Sequence, residues 1–170
     1  KPFSYFWLKF YSELPWRLIQ GFFGLVSIIF LIQFFGVSLS LQLSVSNFMI
    51  ALCIWIFGYF LMFYFKMCIL LSALWFTDTG GLKQFTEIIV LIFCGFIIPI
   101  SFFPEWLKII SLFSPFPYMI YFPVLSLMRG QEMTEWIKIL TFQLGWLAIF
   151  IGLYAYLWRK GIRAYTALGQ

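Results

Sequence analysis

Histidine is absent from the 170 residues, and only 10% of the chain is charged, with eleven basic and six acidic side chains. Without histidine the usual general base is missing, and so are the triads and zinc sites built on it. Cysteine is scarce too. Cys53, Cys68 and Cys94 lie inside apolar stretches and are odd in number, which argues against a disulfide framework or a metal cluster. No Gly-x-x-x-x-Gly-Lys-Ser/Thr phosphate loop occurs, so the chain cannot bind and hydrolyse ATP by that route. The six acids (Glu13, Asp78, Glu87, Glu105, Glu132 and Glu135) avoid the middles of the apolar blocks, where proton-coupled carriers place theirs. If the chain takes part in transport, the energy comes from elsewhere.

What fills the chain instead is apolar: 64% hydrophobic and 24% aromatic, against roughly 45–50% apolar in an ordinary soluble domain. No charge interrupts residues 18–65, 88–104, 109–128 or 139–158. A spanning helix needs about 20 apolar residues, so the expected fold class is all-α, a polytopic helical membrane protein. The net charge of +5 then reads as flanking positive charge on the cytoplasmic side rather than as a nucleic-acid surface. The chain opens on Lys1 without a basic-apolar-small leader, so it is expected to begin inside a longer protein.

Residues 1–16 carry Phe3, Phe6, Trp7, Phe10 and Leu14 at helical spacing, with Lys9, Ser12 and Glu13 off that face. This is the pattern of an amphipathic helix lying in the membrane interface. Such a helix is either a plain anchor or a contact for a cytosolic partner, in which case Phe6, Lys9 and Glu13 carry the contact. Residues 18–65 are too long for one span and hold an alternating polar connection, Ser38 to Asn47, giving spans at 18–36 and 47–74. Lys66 falls inside the second, close enough to its end to snorkel to the headgroups. After the turn at Asp78-Thr79-Gly80-Gly81, a short third span is expected at 87–102, with Pro99 late in it.

Residues 109–128 are long enough to cross but contain Pro115, Pro117 and Pro123, each of which costs a helix about 3 kcal/mol or more. The expectation is an external re-entrant segment, 104–130, turned by Pro104, Pro115, Pro117 and Pro123. Charge supports it. With that segment re-entrant, one side holds Lys1, Lys9, Arg17, Lys66, Lys83, Arg159, Lys160 and Arg163, and the other only Lys108, Arg129 and Lys138. Both ends then face the cytoplasm. The last span is placed at 136–158, with Trp136 and Trp158 as an aromatic belt and Arg159-Lys160-Gly161-Ile162-Arg163 as its stop.

The run Gly95-Phe96-Ile97-Ile98-Pro99-Ile100-Ser101-Phe102-Phe103-Pro104-Glu105-Trp106-Leu107 resembles the outer end of the fifth span in the membrane subunits of ATP-binding-cassette exporters, the type-two permease family. The likeness extends through Pro115-Phe116-Pro117-Tyr118, Tyr121-Phe122-Pro123, Gly130, Gln143-Leu144-Gly145-Trp146 and Trp158-Arg159-Lys160-Gly161 to Gly169. Upstream it takes in Leu74-Trp75-Phe76 and Gly80-Gly81-Leu82. The resemblance implies a six-span subunit, with two spans before Lys1 and residues 1–16 as the connecting helix that meets the ATPase subunits. It also implies a second permease subunit, two cytosolic nucleotide-binding partners carrying ATP and Mg, no cofactor on the chain itself, and a plasma membrane, bacterial inner membrane by type. Gly95, Pro99, Phe102, Phe103, Phe116 and Tyr121 are the expected outer gate of the pathway. Two other readings stand beside this one: a membrane scaffold without transport, and a membrane-embedded enzyme acting on lipid.

Overall fold

The structure is a computed structural model that describes residues 5–36, 45–75, 80–128 and 132–168. The connection from Ser38 to Ser44, the turn at Asp78-Thr79, and Lys1, Phe3, Gly130 and Gly169 lie outside the described residues. Six α-helices occur in order among the described residues: α1 (Tyr5–Phe35), α2 (Val45–Leu71), α3 (Gly80–Phe93), α4 (Glu105–Phe113), α5 (Tyr121–Met128) and α6 (Met133–Leu168). Short 3-10 turns sit at Ser72–Leu74 and Ile100–Phe102, and there is no strand among the described residues. The all-α, membrane-spanning class is thus observed.

The chain divides into two compact units, Lys1–Ser40 and Leu41–Gln170. The first is essentially α1, a single helix of 31 residues that runs through Pro15. From Tyr5 onward no break separates the expected interfacial helix from the expected span 18–36. Pro15 removes only the bond to the Tyr11 carbonyl, and the turns on either side hold. At 1.5 Å per residue the uncharged part, 18–35, is about 27 Å long and matches a hydrocarbon core. The preceding turns carry the Lys9–Glu13 pair at 3.6 Å and the Glu13–Arg17 pair at 4.0 Å.

In the second unit α2 and α6 pack side by side and run parallel. Gln143 meets Ile54, Tyr154 meets Tyr64 with ring centroids 5.9 Å apart, and Gly161 meets Leu74. Both sequences advance together. From Ile54 to Leu74 is about 30 Å of helix, again the thickness of a bilayer core. Because the two helices cross in one direction, the chain between them must return to where it started. Four spans were expected; among the described residues three helices, α1, α2 and α6, are long and apolar enough to cross. The return falls to α3, whose 14 residues reach about 21 Å, and to the segment beyond it.

α3 starts and stops earlier than 87–102. It ends not at Pro99 but at Gly95, where φ is +74°. Gly95 N–H donates to Ile92 O at 3.1 Å and Phe96 N–H to Leu91 O at 3.2 Å, the double closure of a Schellman motif. Only glycine takes that backbone readily, so the helix stops there whatever proline comes next. Neither Pro104 nor Pro123 breaks a helix. Pro104 is the N-cap of α4 and Pro123 lies in the first turn of α5, where a missing N–H costs nothing. Pro115 and Pro117 occupy the non-helical stretch between α4 and α5.

The core of this unit gathers Ile54, Leu61, Cys68, Tyr118, Met119, Trp136, Ile139 and Phe150. Trp136, expected in an interfacial belt, is only 2% exposed and belongs to that core. Trp158 stacks on Tyr154 at 6.2 Å. α5 approaches α2 at Gly58, where an added Cβ would meet Pro123 Cγ at 2.9 Å, Gln143 Nε2 at 3.1 Å and Tyr118 O at 3.2 Å. Gly58→Ala should therefore lower stability by about 1–3 kcal/mol through overpacking, read by thermal unfolding in detergent. Gly145→Ala, whose Cβ meets nothing within 4 Å, should leave stability equal or slightly higher.

Candidate functional site

α3 ends halfway along the α2–α6 pair. The Phe93 ring lies 5.9 Å from Phe116, and Phe116 lies 5.7 Å from Phe65. Phe65 is about 16 Å of helix from Ile54 and about 13 Å from Leu74. A helix end at such depth has four carbonyls with no intrahelical donor and no water to serve them. Here each has a donor. Val90 O receives Cys94 N–H, Leu91 O receives Phe96 and Ile97, and Ile92 O receives Gly95. Phe93 O receives the Oγ–H of Ser111 at 2.9 Å.

Ser111 belongs to α4 and is fully buried, so residues 93–111 form an excursion that returns to its starting depth. α4 has two faces. Ser111 points inward to Phe93, while Trp106, Ile109, Ile110 and Phe113, at i, i+3, i+4 and i+7, are exposed. An outward apolar stripe on a helix too short to span suits contact with acyl chains.

From Ser114 the chain is non-helical as far as Tyr121 and is held by side chains. Phe122 N–H donates to Pro117 O at 3.0 Å, one residue beyond the regular helical partner, which leaves Tyr118 O for another donor. Gln143 supplies it. Its Nε2 donates to Tyr118 O and to Ile54 O, both at 2.9 Å, and its side chain is fully buried. Trp55 Nε1–H donates to Pro123 O at 2.8 Å, and Tyr118 O–H to Leu112 O at 3.1 Å. Leaving one such buried carbonyl unpaired costs about 1–3 kcal/mol. Polar side chains from α2, α4 and α6 thus keep irregular backbone inside an apolar unit.

The residues expected at the gate are not brought together as one cluster. Phe102 is 77% exposed and Phe103 7%, so these neighbours face opposite ways. Phe116 is part of the packing, held between Phe65 and Phe93. Gly95 and Tyr121 do meet, since a Cβ on Gly95 would lie 3.4 Å from Tyr121 Cδ2 and 2.9 Å from Ile100 Cγ1. Pro99 is exposed and caps the 3-10 turn Ile100–Phe102. In α1, Phe6 stacks on Phe10 at 6.4 Å and Lys9 pairs with Glu13. Sequence reasoning missed Ser111, Trp55 and Gly58 as positions that hold this segment. Gln143 did carry a signal, as the one amide within the uncharged block 139–158.

Two full-length parallel helices, a half-length helix ended by a Schellman motif and a proline-broken segment seated at their far end define a polytopic membrane protein with interrupted spans. It belongs to the ABC-2 transporter family: the model described as ABC-2 family transporter protein matches residues 5–169. No curated protein and no solved structure matches the chain. Membership makes the chain a multi-pass membrane subunit of the transporter kind and not itself an ATPase.

The end of α3 gives a direct test. Ser111→Ala strips the donor from Phe93 O and should cost about 1–3 kcal/mol, while Ser111→Thr, which keeps the hydroxyl, should cost less. Unfolding of the purified protein in detergent measures both.

Proposed function

We propose that the chain is the pathway-forming permease of an ATP-driven exporter, working with a second permease subunit and with cytosolic nucleotide-binding subunits that carry ATP and Mg. The family match over residues 5–169 is the observation that carries the reading. The charge balance and the parallel course of α2 and α6 support both ends facing the cytoplasm, in a plasma membrane of the bacterial inner-membrane type. On that topology residues 95–128 form the outer end of the pathway. Pro99, Phe102, Phe103, Phe116 and Tyr121 then lie around the exit, with Phe116 sealing from within and Phe102 meeting lipid. Interrupted spans at a pathway are where irregular backbone is expected, since it is tolerated only beside protein or a water-filled cavity.

The N-terminal turns of α1 are the proposed contact for the ATPase subunit, through Phe6, Lys9 and Glu13. Exposed i, i+4 ion pairs such as Lys9–Glu13 contribute only about 0.3–0.5 kcal/mol to their own helix. Replacing both charges by alanine should therefore leave α1 folded and inserted while co-purification of the ATPase or its coupling falls. A complex with unchanged yield and coupling would return this helix to the role of an anchor.

For the exit, Phe102→Ala and Tyr121→Ala should alter substrate-stimulated ATPase activity or export with expression intact. Wild-type behaviour in both variants would remove these residues from the pathway.

A further inference from the structure

The geometry points to Gln143 as the positioning residue of the exit segment, a buried amide that latches residues 114–128 onto the α2–α6 pair and whose release lets that segment lift. This rests on the reading of residues 95–128 as the outer end of a pathway.

Gln143 gives both amide hydrogens away, one to Ile54 O and one to Tyr118 O, while its Oε1 is buried and has no donor. The two partners differ in kind. Ile54 lies within α2, a full-length helix, so that bond keeps the amide docked on α2. Tyr118 lies in the non-helical stretch, so that bond can open without breaking a helix. An amide with an unfilled acceptor is not at its best in the closed arrangement. When Tyr118 withdraws, water or a polar group of the cargo entering the gap supplies the missing donor. The unfilled acceptor thereby narrows the energy gap between the closed and lifted arrangements.

Lifting also gives up apolar packing, since Tyr118 and Met119 belong to the core with Ile54 and Leu61 and Phe116 rests on Phe65; the other attachments resist less. At Gly58 the Pro123 ring meets bare backbone, so no side chain of α2 interlocks with it there. Trp55 holds Pro123 O from a half-buried flank. Tyr118 stacks on Phe142 at 5.8 Å, a contact between flat faces. The segment's own bond, Tyr118 O–H to Leu112 O, ties it to the end of α4 rather than to α2 or α6.

The native cysteines report on the latch. Cys94 is buried, and its neighbours Phe93 and Gly95 touch Phe116 and Tyr121 of the segment. Cys68 is buried between α2 and α6, with Sγ 3.7 Å from Phe150 O. Cys53 is exposed and is replaced by serine in every sample. N-ethylmaleimide labelling of the full chain in lipid nanodiscs, without ATP or cargo, then gives two rates. Gln143→Leu removes both bonds and strands the Tyr118 carbonyl; it should speed Cys94 about tenfold and leave Cys68 as it was. An unchanged Cys94 rate overturns the latch, and so does a Cys68 rate that rises in step, which is general loosening. Trp55→Phe should speed Cys94 less than Gln143→Leu, and an equal or larger effect overturns the assignment to Gln143. Ile139→Ala, a cavity one turn away on α6, should not expose Cys94 alone; if it does, the latch falls. Labelling requires neither an ATPase nor a cargo, so failure here is distinct from failure of the Phe102 and Tyr121 variants to alter transport.

Discussion

A carbonyl that leaves a helix within a bilayer has no water to turn to, and the second unit of this protein is built around that constraint. α3 stops halfway, and the chain beyond it bends through several prolines, so carbonyls are released at depth. Side-chain donors from elsewhere reach them: Ser111 at Phe93, Gln143 at Tyr118, and Tyr118 itself at Leu112. Without these donors each carbonyl would stand unpaired, at about 1–3 kcal/mol apiece. The irregular segment therefore exists because polar side chains were placed to meet it.

The apolar packing serves the same arrangement. α2 and α6 supply a parallel pair about as long as a bilayer core is thick, with Tyr64 against Tyr154 and Phe65 against Phe150. Gly58 opens a place where Pro123 comes close to the α2 backbone, and that closeness puts Tyr118 O within reach of Gln143. Gln143 is thus held by two elements at once. It joins a long helix to the non-helical stretch before α5.

The sequence made the class plain, because length and hydropathy act over many residues and no tertiary detail can reverse them. It also showed that residues 109–128 would not be one straight helix. What it concealed depended on single-residue geometry. Gly95 stops α3 by adopting a positive φ, yet a glycine shortly before Pro99 reads as incidental. Pro123 looks like a breaker, but in the first turn of α5 its missing N–H has no consequence. Trp136 has the composition of an interfacial residue and is buried, because its position along α6 is set by packing on α2. Phe102 and Phe103 are indistinguishable in sequence, and the 3-10 turn sends them opposite ways. Ser111 and Trp55 gave no signal at all, since a donor is identified only by the carbonyl it meets, and that carbonyl is distant along the chain.

The half-length of α3 has a consequence for biogenesis. A segment of 14 residues enters lipid poorly by itself, and its C-terminal carbonyl waits for Ser111, eighteen positions later. Tyr118 waits longer, for a glutamine twenty-five positions further on. During synthesis the middle of the protein must therefore be sheltered, by the insertion machinery or by α2, until α6 arrives. A ribosome stalled before Gln143 would hold a chain whose bent segment has its prolines but not yet the amide that makes the bend tolerable.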